Sequence, residues 1–129
     1  MLDWPGESAE IPARACGCSF CVKHGGVWTS NPRGSLTVRI RERAGVVNYA
    51  FGTKTAAFVT CARCGVVPFV TSQIGGRTYA VVSVNAFDGI ERSRLRTAPA
   101  SFDGEGVGER LERRARNWIP DVRFVEVGP

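Results

Sequence analysis

Three thiols fall within the short segment Cys16-Gly17-Cys18-Ser19-Phe20-Cys21. The other two stand together in Cys61-Ala62-Arg63-Cys64-Gly65, so all five cysteines of the chain sit at metal-ligand spacing. A Cys-x-x-Cys step followed by glycine has the shape of a zinc knuckle. Two sulfurs reach one ion from a tight turn, and Gly65 gives that turn a freedom a Cβ would resist. That pair fills half of a tetrahedron. The first cluster suits an ion held by three protein sulfurs, with one coordination position left for water or a substrate thiol, as in catalytic zinc sites. Zn2+ is therefore the expected cofactor in at least one site, with Cys16, Cys18 and Cys21 as candidate ligands of a reactive centre and Cys61 and Cys64 as further candidate ligands. The competing reading, disulfides or inert buried thiols, fits poorly. Five is an odd number, and residues 1–30 lack a basic segment followed by an apolar one, which makes the reducing cytoplasm the expected home.

His24, the single histidine, lies three residues after Cys21. It is a candidate proton shuttle or fourth ligand, against the ordinary reading of a solvated loop histidine. Lys23, Arg33 and Arg63 are near the cysteines and could receive substrate carboxylates, although each taken singly reads as a solubilising surface charge. Tyr49, Phe51 and Phe69 could line a pocket; as strand residues they read more simply as core.

These residues must be positioned by a small body. At 129 residues the chain is expected to form a single domain over 1–129, large enough for a core and small enough for a structural metal to matter. No run approaches the ~18 apolar residues of a membrane span. The net charge of +5 suits anionic partners: nucleic acid, acidic metabolites or a glutathione-like thiol.

The sequence predicts mainly β structure. Ser35 to Arg41 alternates, with Leu36, Val38 and Ile40 on one face. Val46 to Phe51 and Thr55 to Cys61 are further strand runs separated by a turn at Gly52-Thr53-Lys54. Val66 to Ser72 and Arg77 to Val84 flank a hairpin at Gln73-Ile74-Gly75-Gly76, with Pro68 marking its strand as an edge or bulge. Asp88 to Pro99, carrying Arg92, Arg94 and Arg96, reads as a coreless connection. From Glu105 to Trp118, Val107, Leu111, Ala115 and Trp118 recur at helical spacing. That leaves Arg110, Arg113, Arg114 and Arg116 for the remaining faces, until Pro120 stops the helix. A last strand is expected over Val122 to Val127.

The segment Arg14-Ala15-Cys16-Gly17-Cys18-Ser19-Phe20-Cys21-Val22-Lys23-His24-Gly25 carries a resemblance. With it go Tyr49-Ala50-Phe51-Gly52-Thr53, Cys61-Ala62-Arg63-Cys64-Gly65-Val66-Val67-Pro68-Phe69 and Tyr79-Ala80-Val81-Val82-Ser83-Val84-Asn85. In these motifs, over roughly residues 14–90 and with a weaker echo at Arg116-Asn117-Trp118-Ile119-Pro120, the chain resembles the glutathione-dependent formaldehyde-activating enzyme family, which includes centromere protein V. The resemblance implies a β-tent fold of short antiparallel strands around zinc, with a catalytic ion on Cys16, Cys18 and Cys21. It also implies a structural ion held by Cys61 and Cys64 together with a CxC pair near the N-terminus. Here the sequence departs from the pattern, since residues 1–15 contain no cysteine. A misplaced or missing start, a lost second site (with Cys61 and Cys64 left alone or joined by His24 or a carboxylate), or a site merged with the first cluster would each account for this.

The reaction implied by the resemblance joins formaldehyde to the glutathione thiol, giving S-hydroxymethylglutathione. An ion held by three thiolates carries net charge −1 with its shell and still lowers the pKa of an incoming thiol. The expected function is thus a zinc-dependent carbon–sulfur lyase-type enzyme acting on a thiol–aldehyde adduct. The alternative is a non-catalytic zinc-binding domain, with nucleic-acid contact through the basic C-terminal third the less favoured partner class.

Overall fold

The computed structural model describes residues 2–3, 11–50, 54–88, 92–102 and 104–127. Among the described residues, ten strands and two α-helices follow one another: β1 (Leu2–Asp3), β2 (Ile11–Cys16), α1 (Ser19–His24), β3 (Val27–Thr29), β4 (Ser35–Ile40), β5 (Val46–Tyr49), β6 (Ala57–Cys61), β7 (Phe69–Ile74), β8 (Arg77–Ser83), β9 (Leu95–Ala100), α2 (Val107–Asn117) and β10 (Asp121–Glu126). The chain is mainly β, with one longer helix near its C-terminal end. Seven strands form one sheet in the order β5-β6-β7-β8-β3-β2-β9, and β1-β4-β10 form a second.

The β7–β8 hairpin is the spine. Its register pairs Phe69 with Val82 at one end and Ile74 with Arg77 at the other, leaving Gly75 and Gly76 as a two-residue turn. Their φ angles of 57° and 78° are the left-handed conformations that such a turn needs at both central positions. Successive side chains of a strand point to opposite faces, so β7 and β8 feed two cores. Phe69, Ala80 and Val82 join Leu36, Val59 and Ile119 on the face covered by the smaller sheet, with Val38 and Val122 packed against them. Val70 and Val81 join Cys21, Trp28 and Trp118 on the other face. Ile119, just ahead of β10, is tied to β8 by exchanging backbone hydrogen bonds of 3.0 and 2.9 Å with Ala80.

Several expectations need correction. Pro68 does not push its strand to an edge. It precedes the first residue of β7, which lies inside the sheet, and its carbonyl accepts from the Ser83 N–H at 2.8 Å. The supposed connection 88–99 holds β9, a parallel partner of β2 running from Leu95 beside Ile11 to Ala100 beside Cys16. As an edge strand with its middle exposed, it contributes hydrogen bonds rather than core, so it leaves no apolar pattern in the sequence. β2 and β3 also went unanticipated, the cysteine motif masking the strand that delivers it. In α2 only part of the expected apolar face is covered, Leu111 being half-buried. Val107 and Ala115 are exposed, while Arg114 and the following Trp118 are buried. Tyr49 is exposed, Phe69 is core, and Phe51 with Gly52 and Thr53 lies outside the described residues.

Candidate functional site

The three N-terminal sulfurs come from two elements meeting end to end. β2 delivers Cys16; Gly17 turns the chain while its N–H donates to the Ala100 carbonyl at 2.9 Å; Cys18 caps α1; and Cys21 lies in that helix. The Cys18 sulfur accepts the Cys21 N–H at 3.4 Å, replacing the serine or aspartate oxygen that commonly satisfies a free helix N–H. The helix then stops. From the far side the Trp28 indole Nε1 donates to the Cys21 sulfur, also at 3.4 Å. Gly26 makes this approach sterically feasible, since a Cβ there would lie 3.0 Å from the Cys21 Cβ, 3.0 Å from Trp28 Nε1 and 3.1 Å from the Cys21 sulfur.

The result is a group of three sulfurs, all within 4.8 Å of one another. A tetrahedral zinc with bonds of about 2.3 Å separates its sulfurs by roughly 3.8 Å, so the spacing suits one shared ion. The donor chemistry agrees. Cys16 is lowered to about 5 from 9.0, chiefly by a hydrogen bond from Cys21, against burial and with help from Cys18 and the charge of Arg113. Cys21 moves the opposite way, because as the donor it keeps the proton that Cys16 has given up, and burial adds to this. Without an ion, the pair therefore holds one proton and one negative charge.

These thiols open into a cavity of about 160 Å3. Trp28, Phe58, Val70, Val81, Phe102 and Trp118 make its walls apolar, and Arg14, Arg110, Arg113 and Arg114 also line it. Three of the arginines belong to α2, where positions 110, 113 and 114 share a face. Glu105 binds two of them: Arg113 through Nε at 2.9 Å and Nη2 at 3.1 Å, and Arg110 through Nε at 3.3 Å. The Arg113 hydrogen bonds, followed by its charge and those of Arg110, outweigh burial and hold Glu105 below its usual carboxylate pKa. Arg113 also stacks 3.6 Å over the Phe102 ring. Arg14 donates to Ser30 Oγ at 2.9 Å, and Ser30 in turn donates to the Asn117 carbonyl at 2.8 Å, which ties β2 to the end of α2.

Arg114 is the least ordinary member. It is 7% exposed, and its Nη1 donates to the Thr55 carbonyl, Thr55 Oγ1 and Ser72 Oγ at 3.2, 2.9 and 3.2 Å. Its Nε is buried without a hydrogen-bond partner among the described residues. Leaving such a donor unmet costs about 1–3 kcal/mol. Burial, and then the neighbouring charges of Arg113 and Arg110, lower this guanidinium to about 10.

The other sequence candidates lie elsewhere. His24 is exposed in the last turn of α1, its ring 4.3 Å from that of Phe20, and it does not line the cavity. Phe20 also packs against Tyr49 and Phe58, anchoring α1 to β5 and β6. Cys61 ends β6 and Cys64 lies exposed in the turn beyond it, where Gly65 has a φ of 77° and donates its N–H to the Cys61 carbonyl at 2.9 Å. Backbone N–H groups of Cys64 and Arg63 lower the Cys61 pKa. The knuckle turn is therefore formed, and neither of its sulfurs belongs to the group of three. Arg63 pairs with Glu42 at 2.9 Å on the surface, and Lys23 and Arg33 are exposed. The α2 arginines of the cavity, by contrast, are left by the sequence pattern to the faces outside the apolar stripe, and Arg14 carries no site reading there. Their shared spacing was the available signal, and it is equally the signature of a charged surface.

No family model matches the chain. No curated protein matches it either. Among solved structures, a Rhodobacter sphaeroides protein determined by structural genomics is similar, with a TM-score of 0.52 and 24% sequence identity, covering 76% of this chain and 88% of that one. That likeness is one of fold.

Proposed function

We propose that this chain is a zinc-dependent carbon–sulfur lyase-type enzyme of the cytoplasm, acting on a thiol–aldehyde adduct such as S-hydroxymethylglutathione. One observation carries the reading: three convergent sulfurs stand at one cavity with four guanidinium groups, in surroundings otherwise apolar. The motif resemblance to the formaldehyde-activating family supplies the reaction class. Zinc on Cys16, Cys18 and Cys21 would supply a Lewis acid with one coordination position open, able to lower the pKa of a thiol.

The residues of the chain do the remaining work. In the synthetic direction the sulfur electron pair of the substrate thiol forms the new C–S bond to the aldehyde carbon, the carbonyl π pair moves to oxygen, and the thiol proton ends on that oxygen. Trp28, Phe58 and Trp118 keep bulk water away, which favours adduct over aldehyde hydrate. Arg14 and the α2 arginines draw in an anionic thiol and fix its orientation. The inward turn of Arg110, Arg113 and Arg114 also removes them from the exposed basic face that nucleic-acid contact would use.

Turnover of a thiol with formaldehyde by zinc-loaded protein, followed by NMR of the hydroxymethyl group, tests the proposal. The rate should exceed the uncatalysed reaction and disappear in Cys16→Ser. Stoichiometric zinc without any acceleration would instead leave a metal-binding domain with no catalytic role.

A further inference from the structure

The four cavity arginines are not equivalent. Glu105 answers Arg113 with two hydrogen bonds and shares a third with Arg110. A three-thiolate zinc centre contributes one further net negative charge, near Arg113, whose charge acts on Cys16. Of four positive charges, two remain without a carboxylate or thiolate counterpart among the described groups. Arg14 is held by a neutral hydroxyl and Arg114 by neutral hydroxyls and a carbonyl. Arg114 is more than nine-tenths buried, and its Nε is unpartnered. With Nη1 committed to Thr55 and Ser72, Nε is the donor left to receive a carboxylate oxygen. Like charges gathered around an apolar cavity repel one another strongly, and an anion inside relieves that repulsion.

We propose that Arg14 and Arg114 form an anion subsite of this cavity, which takes the carboxylate of a thiol ligand whose sulfur lies toward Cys16, Cys18 and Cys21. The sulfur half of this statement rests on the proposed function; the carboxylate half rests on the arginines alone.

Calorimetric titration of the full chain, zinc-loaded and zinc-free, with 3-mercaptopropionate, 2-mercaptoethanol and propionate separates the two halves. In the zinc-loaded protein 3-mercaptopropionate should bind roughly tenfold or more tightly than 2-mercaptoethanol, the equivalent of one buried charge-assisted contact. In Arg14→Gln that preference should fall toward one while zinc content and 2-mercaptoethanol affinity stay unchanged, and Arg114→Lys should weaken it similarly. If Arg114→Lys fails to fold, the wild-type preference and Arg14→Gln decide alone. Equal binding of the two thiols, a preference that survives Arg14→Gln, or no binding of any probe overturns the subsite. Propionate binding to zinc-free protein that depends on Arg14, with neither thiol gaining from zinc, keeps the anion subsite and overturns the thiol reading.

Discussion

The Trp28 indole donates its Nε1 hydrogen to the Cys21 sulfur at 3.4 Å, so the most buried of the three clustered thiols is oriented from β3 rather than from its own helix. Because a sulfur that accepts an N–H bond is held in place for an ion, Trp28→Phe should keep the packing and lose the alignment. Zinc affinity should fall roughly tenfold, in the range found for outer-shell partners of metal ligands, as read by competition with a chromophoric chelator. Unchanged affinity would show that the indole serves packing alone.

Gly26→Ala tests the same junction sterically. Its new Cβ would sit about 3 Å from the Cys21 side chain and from the Trp28 nitrogen, all set in well-packed structure. The variant should lose roughly 1–3 kcal/mol of stability, measured by urea unfolding, and bind zinc more weakly than wild type. A loss below about 0.5 kcal/mol would mean that α1 shifts freely, contrary to the packing described.

The two cysteine groups should separate in metal analysis. Cys16→Ser should abolish ion binding at the cavity, whereas Cys61→Ser should leave it intact, because the knuckle sulfurs stand outside the convergent group. Equal metal loss in both variants would contradict separate sites.

Alkylation of metal-free protein should depend on pH as the Cys16–Cys21 pair dictates. Cys16 is lowered to about 5, so its thiolate is present at neutral pH and above, and disappears as pH falls through about 5. Iodoacetamide labelling, mapped by mass spectrometry, should therefore proceed at Cys16 at pH 6.5, roughly where an ordinary thiol is inert. A Cys16 labelling midpoint near 9 would refute the shared-proton arrangement.

Glu105 provides an acid limit. Its pKa is held below 4.5 mainly by hydrogen bonds from Arg113, so the carboxylate contributes stability that is fully present above the unfolded value and lost as pH falls through the folded one. Wild type should lose stability below about pH 4.5 more steeply than Glu105→Gln does, and parallel acid profiles would refute the assignment.

Much of this architecture was legible because strand alternation is local. Leu36 and Val38 mark the inward face of β4, and the paired glycines mark the β7–β8 turn. The missed parts depend on distant partners. Leu95–Ala100 becomes a strand because β2 lies beside it, and nothing in its own apolar pattern requires this. Arg114 is buried because Thr55 and Ser72, far away in sequence, supply its acceptors. The cysteines announced a metal-ligand set through spacing alone. The guanidinium wall facing them emerges only when α2 is laid across β7, since the same arginines on an isolated helix would all be solvated.

The hydrogen bond from Gly17 to Ala100, and the β2–β9 ladder behind it, also impose an order of events during synthesis. The sulfur-bearing turn leaves the ribosome early, but the strand that braces it is among the later segments made. Until then Gly17, between Cys16 and Cys18, lacks the Ala100 carbonyl to which it donates. Whatever the three sulfurs meet before then is met by a turn without its brace.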